Sequence, residues 1–199
     1  MLPPWESVAT FDIVGISVQL GQADIESAMK LARATYKRFE STEGYYRNTS
    51  NSHIVGKIGE LAAHRWLNSA HLPVQSLYED PTQVRSADLE IAGIRIEVKT
   101  WSHDYWYNWG RCVAVGQLAT LRQKSDCVLW ASAKISDNSA LVSFHGWSTL
   151  PEVETAPVRW TGPSGRKVKN YQLESDSLRD VSKLIEALQR KYYEANTDI

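Results

Sequence analysis

The sequence predicts an α/β layer fold, a central mixed β-sheet flanked by α-helices. Three observations carry that expectation. Residues 87–100 read Ala-Asp-Leu-Glu-Ile-Ala-Gly-Ile-Arg-Ile-Glu-Val-Lys-Thr, with apolar and polar residues alternating on both sides of Ala92-Gly93. That is the pattern of two short strands joined by a two-residue turn. Apolar residues recur at helical spacing before and after this strand-rich middle, the order expected of helices packed on a sheet. The chain contains no internal repeat and no low-complexity segment.

Taken in order, Phe11 to Leu20 is rich in β-branched and apolar residues and is expected to be a strand. Asp24 is the expected N-cap of a helix carried by Ile25, Met29, Leu31, Ala32 and Tyr36 as far as about Phe39. Residues 41–52 are polar and read as a loop. A second helix is expected from about His53 to Leu67, with Ile54, Ile58, Leu61 and Ala62 on one face and Trp66 near its end. Gly56, Gly59 and Ala63 allow close packing there, at some cost in helix propensity. Val74 to Tyr78 is a short strand, and the hairpin follows. Trp101 to Arg111 reads as a loop dense in aromatics. Val115 to Gln123 is expected to be a short helix, Asp126 to Ile135 a buried strand and Leu141 to Trp147 another strand. Pro151 to Lys169 holds three Pro and two Gly and is expected to be irregular. Ser177 to about Tyr193 is an amphipathic helix carried by Leu178, Val181, Leu184, Ile185 and Leu188. The expected organisation is one domain over residues 1–199. Its core spans about 53–147, with an N-terminal helical extension over about 22–52 and a C-terminal helix over about 177–193.

With 199 residues, 43% of them apolar, and eight Trp, the chain can bury a full core. The formal net charge is −1, so contact with a polyanion must come from local basic patches. Cys112 and Cys127 are the only cysteines, which fits a reducing cytosol better than a disulfide scaffold. The first residues lack the basic and apolar stretches of a signal peptide, and no apolar run approaches the roughly 18 residues of a membrane span. A cytoplasmic protein with no membrane partner is expected.

The hairpin carries the chemistry. If Ile91 pairs with Ile94, Asp88 lies directly opposite Glu97. Side chains alternate faces along a strand, so Asp88, Glu90, Arg95, Glu97 and Lys99 share one face and Leu89, Ile91, Ile94, Ile96 and Val98 the other. Facing carboxylates repel, and a divalent cation between them removes that repulsion. Hard carboxylate oxygens suit Mg²⁺, which keeps several waters and accepts substrate phosphate oxygens. A metal there would polarise a phosphate and lower the pKa of a bound water, with Lys99 placed to orient that water. The plainer alternative is a solvated polar face with cross-strand ion pairs such as Glu90 with Arg95.

Asp88, an eight-residue gap, and then Glu97-Val98-Lys99 resemble the core of the PD-(D/E)XK nuclease superfamily. Gly56-Lys57-Ile58-Gly59-Glu60-Leu61-Ala62-Ala63 is similar to the helix that precedes the family's hairpin. Gly116 to Lys124, followed by Ser125-Asp126-Cys127-Val128-Leu129-Trp130, is similar to the helix and strand that follow it. The resemblance covers roughly residues 53–135 and departs from the pattern at Ala87, where the family has Pro. It implies a restriction-endonuclease-like core and hydrolysis of DNA phosphodiester bonds by an endonuclease of restriction or repair type. Asp88 and Glu97 would bind Mg²⁺, with Mn²⁺ as a substitute. Glu60 would complete or support the metal shell, Lys99 would assist the attacking water, and Gln117 would help at the active site. By fold-level analogy, a homodimer would cut both strands. Two alternatives stay open: a nucleic-acid-binding or assembly protein that keeps the fold without cleaving, and an RNA-directed nuclease.

Two segments are candidate nucleic-acid contacts. Pro157 to Lys169 carries Arg159, Arg166, Lys167 and Lys169 without an acid, a loop suited to backbone phosphates or simply a solvated one. In the aromatic stretch, Trp106 could stack on bases and His103 could bind phosphate; equally, these rings could fill a core or a dimer contact. The cysteines and histidines lack zinc-ligand spacing, and neither a phosphate-binding Gly-rich loop nor a nucleophile elbow is present.

Overall fold

A computed structural model describes residues 11–12, 15–39, 50–79, 86–162 and 167–197. Its strands are β1 (Phe11–Asp12), β2 (Gly15–Leu20), β3 (Gln75–Ser76), β4 (Leu89–Ile91), β5 (Ile94–Ser102), β6 (Cys112–Ala114), β7 (Cys127–Ile135), β8 (Ala140–Thr149), β9 (Val158–Thr161) and β10 (Val168–Gln172). Its helices are α1 (Gln22–Phe39), α2 (Ser50–Ser69), α3 (His103–Trp109), α4 (Leu118–Lys124), α5 (Leu150–Thr155) and α6 (Val181–Thr197). Seven strands form one mixed sheet in the order β1-β2-β8-β7-β5-β4-β3, and β6-β10-β9 form a second, antiparallel sheet. The large sheet has one parallel pair, β5 with β7. Parallel neighbours need a long crossover, and residues 103–126, with α3, β6 and α4, supply it.

β7 is buried from Cys127 to Ala133 because both faces of the sheet are covered there. On one face Leu129 and Ala131 join Ile96, Val98 and Phe144 against Ile58, Ala62 and Trp66 of α2 and Leu184 and Leu188 of α6. On the other, Val128 and Trp130 pack with Trp106 of α3, Val113 of β6, Leu121 of α4 and Val153 of α5. Among the described residues no helix is long and apolar enough to cross a membrane.

The hairpin register agrees with the alternation: Leu89, Glu90 and Ile91 face Ile96, Arg95 and Ile94. Ala92 and Gly93 both have positive φ, 49° and 78°, as a type I′ turn demands. At Gly59 α2 crosses β5 so closely that a Cβ there would stand 1.7 Å from Thr100 Oγ1. That contact fixes the height of α2 over the sheet and the placement of Glu60.

Several elements differ from expectation. The aromatic stretch is the end of β5 followed by α3, not a loop. Among the described residues, most of Pro151 to Lys169 is regular, with residues 163–166 outside them: Pro151 lies in the first turn of α5, where a missing N–H costs nothing, and Glu152 Oε2 accepts from Thr149 N–H at 2.7 Å to cap it. β9 and β10 then form a hairpin. Asp24 sits inside the first turn of α1, accepting from Gly21 N–H at 3.0 Å, so the cap is Gly21. α2 begins at Ser50, inside the expected loop, and residues 40–49 lie outside the described residues. Only Gln75–Ser76 of the expected 74–78 strand is paired. α6 starts at Val181 because Asp180 caps it, its Oδ1 accepting from Ser182 N–H at 2.7 Å.

Candidate active site

Glu97 points to the face of β5 covered by α4 and is 3% exposed. Its Oε1 accepts from Lys99 Nζ at 2.6 Å and its Oε2 lies 2.5 Å from Lys124 Nζ. Parallel pairing sets Ile96 beside Cys127, so Lys124, three residues before Cys127, falls next to Glu97. Burial pushes the Glu97 carboxyl up, but the two ammoniums outweigh it and hold its pKa down at about 2.

Asp88 immediately precedes β4. Its N–H donates to Ile96 O at 3.1 Å and its Oδ2 accepts from Val98 N–H at 2.8 Å, which holds its carboxylate against the backbone of β5 at the residue after Glu97. Among the described residues Asp88 forms no ion pair. Burial, then the charges of Glu97 and Glu60, push its carboxyl well above the usual range.

Glu60 is buried on α2. Lys57, one turn earlier, donates to its Oε2 at 2.6 Å and to Tyr78 O at 3.3 Å. Lys57 and Glu60 thus form an i, i+3 pair in which each side chain is 11% exposed. Burial raises the Glu60 carboxyl, Lys57 offsets part of that, and the charge of Glu97 adds to it. Asp88 therefore senses both other carboxylates, and Glu60 senses Glu97.

A cleft of about 170 Å³ opens beside Glu97, lined also by Lys99, Gln117, Thr120 and Lys124 over Val113. At about 30 Å³ per water it has room for roughly five waters, or a phosphate group and fewer. Gln117, expected from the resemblance, is thus brought beside Glu97 and Lys99. Lys124 went unnoticed in the sequence. It lies seven residues after Gln117, two helical turns on the same side, which places it beside Gln117 but does not by itself bring it to Glu97.

The other expected residues lie elsewhere. Trp106 is not a surface ring: it is 3% exposed, stacked 4.1 Å from His145, with the Arg111 guanidinium 5.3 Å from its centroid. Of the two alternatives for this ring, stacking on bases or filling a core, α3 turns it into the core. His103, at the start of α3, makes an edge contact with Tyr107. Arg159 lies on β9, paired with Glu174 at 2.5 Å. Lys167 and Lys169 are exposed on the β10 side of that hairpin, and Arg166 lies outside the described residues. The expected Glu90–Arg95 ion pair gives way to Arg95 with Asp126, whose two oxygens accept from Nε and Nη2 at 3.1 and 2.8 Å.

Among the described residues no three His, Cys, Asp or Glu side chains form a group able to hold a metal ion alone. The donor set nonetheless suits Mg²⁺, which is content with one or two carboxylates plus water and substrate oxygens. Asp88, which forms no ion pair among the described residues and feels Lys124 only through its charge, is the group that such an ion would satisfy. The chain matches no family model, no curated protein and no solved structure.

Proposed function

We propose that the chain is a divalent-metal-dependent nuclease that hydrolyses DNA phosphodiester bonds, an endonuclease with the PD-(D/E)XK arrangement of residues. The observation that carries this reading is that Glu97, Lys99 and Gln117 line one cleft, while the Asp88 carboxylate accepts from the Val98 N–H, between Glu97 and Lys99 on the same strand. Asp88 and Glu97 would hold Mg²⁺, which when bound polarises the scissile phosphate and acidifies a water. Glu97 is held ionised, as a metal ligand must be. Lys99 projects from the strand that carries Glu97 and borders the cleft, so its ammonium can orient the attacking water or meet charge developing on phosphate oxygens. Gln117 offers an amide to the same space. Glu60, engaged by Lys57, adds negative charge behind the site and is better suited to supporting the metal than to ligating it.

One observation favours a second reading, a nucleic-acid-binding protein that does not cleave: both Glu97 oxygens are already engaged by lysines. A single experiment separates the two. Supercoiled plasmid, linear duplex, single-stranded DNA and RNA are incubated with the protein in Mg²⁺, Mn²⁺ or EDTA, beside Asp88→Asn and Lys99→Ala. Metal-dependent cleavage lost in both variants supports the nuclease. Cleavage that survives either substitution sinks the site assignment, and binding without cleavage of any substrate favours the second reading.

A further inference from the structure

Three carboxylates and three ammoniums make up this site, but the cations are not equivalent. Lys57 serves Glu60 at 2.6 Å, and Lys99 serves Glu97 at 2.6 Å from its own strand. Lys124 is the one whose charge is felt by Glu97, Asp88 and Glu60 alike. It reaches this point from another element, the last residue of α4, where the helix carbonyls also favour a cation. Its side chain is 18% exposed and borders the cleft together with Gln117 and Thr120.

An oxygen in contact with an ammonium at 2.5 Å cannot also ligate a Mg²⁺ ion at its usual distance of about 2.1 Å without setting two cations side by side. Resting on the metal-site reading above, we infer that Lys124 is a built-in counter-ion that occupies the metal's position on Glu97 and must leave Oε2 when a divalent cation binds. Lysine suits that exchange, because a flexible four-carbon stem lets its ammonium swing while the helix stays put. Once displaced, Lys124 faces the cleft, where a substrate phosphate is its natural partner. Metal and phosphate therefore bind cooperatively: each relieves the cost of the other, and the coupling is reciprocal.

The test reads Mn²⁺ affinity by calorimetry, without any cleavage, for the wild type, Lys124→Met and Lys124→Arg. Loss of the competing charge in Lys124→Met is expected to tighten Mn²⁺ binding by about tenfold or more, with Lys124→Arg close to wild type. A deoxyoligonucleotide too short to be cut is expected to tighten Mn²⁺ binding in the wild type and to do so much less in Lys124→Met. Equal or weaker Mn²⁺ binding by a folded Lys124→Met overturns the inference and leaves the metal site standing. No Mn²⁺ binding by any of the three proteins overturns both. Should Lys124→Met not fold, the wild type answers alone: after reductive ¹³C-methylation the Lys124 resonance, assigned by its loss in Lys124→Arg, must shift on addition of Mg²⁺. A resonance that stays in place while Mg²⁺ binds refutes the exchange.

Discussion

Asp88 and Glu97 titrate in opposite senses, because burial and the charges of Glu97 and Glu60 raise the first, whereas Lys99 and Lys124 outweigh burial at the second. The consequences for stability differ in sign. The Asp88 carboxyl is raised on folding, so its contribution is complete below the unfolded value of about 3.9 and is lost as pH climbs through the raised one. The Glu97 carboxyl is depressed, so its contribution is present above about 4.3 and disappears as pH falls toward about 2. At neutral pH Asp88 is therefore a cost to folding. Asp88→Asn is expected to raise the Tm in EDTA at pH 7–8, by about 2–4 °C for each 1 kcal/mol relieved, and to lose that advantage as the pH approaches 4. Saturating Mg²⁺ should reverse the order by stabilising the wild type alone. Thermal melts with and without Mg²⁺ measure both effects, and a Tm for Asp88→Asn at or below wild type in EDTA would contradict the assignment. Glu97→Gln works the other way. It strands Lys99 and Lys124 beside a neutral amide and is expected to cost about 3 kcal/mol at neutral pH, measured by denaturant unfolding.

The elements place these residues through two backbone contacts. α2 can carry Glu60 to the site only because Gly59 has no side chain where the helix meets Thr100 of β5. Gly59→Ala must lift the helix or push Thr100 aside, and an expected loss of about 1–3 kcal/mol should appear as a lower denaturant midpoint. Thr100→Ala in the same chain should restore part of it, since two of the three clashing atoms leave with the hydroxyl and methyl and the Cβ remains. The hairpin has a milder flaw. Ala92 adopts φ +49°, which costs an L-residue with a Cβ about 1–2 kcal/mol, and Ala92→Asn would restore the Asn-Gly pair that type I′ turns favour. A rise in Tm without change in register is the expected result. This hairpin was legible in the sequence because alternation and a two-residue turn are local properties, and a one-residue slip would have put Glu97 into the apolar core. α5 and β9–β10 were not, since three prolines outweighed the capping box at Thr149 and Glu152. Lys124 was hidden for another reason. Its partner Glu97 is 27 residues earlier, and only the parallel pairing of β5 with β7 brings them together.

On the scale of the whole molecule, one strand organises everything: β7 supplies Leu129 and Ala131 to the core beneath α2 and α6, and Val128 and Trp130 to the core beneath α3, α4 and α5. Layering of this kind could be read from the Cys-Val-Leu-Trp-Ala-Ser-Ala stretch of Cys127 to Ala133. Which aromatics go inside could not, because Trp106 and its exposed neighbours Tyr105 and Tyr107 differ only in the face that α3 turns to the sheet. The charge balance was legible in full and sets the last expectation. With 22 basic and 23 acidic side chains, attraction to a polyanion depends on where cations lie unneutralised. On the β9–β10 hairpin Arg159 is engaged by Glu174, whereas Lys167 and Lys169 are exposed and form no ion pair among the described residues. If this hairpin grips a duplex, each lysine that neutralises a phosphate adds about 0.9 to the salt dependence of binding. The double substitution Lys167→Ala and Lys169→Ala should then flatten the plot of log Kd against log salt by up to about 1.8, and Arg159→Ala by less, since it also unmasks Glu174. Anisotropy of a labelled duplex, with Asp88→Asn as background and EDTA present, gives these slopes without cleavage. An unchanged slope in the double variant would place the backbone contacts elsewhere and leave the cleft lysines, Lys99 and Lys124, as the cations that meet phosphate.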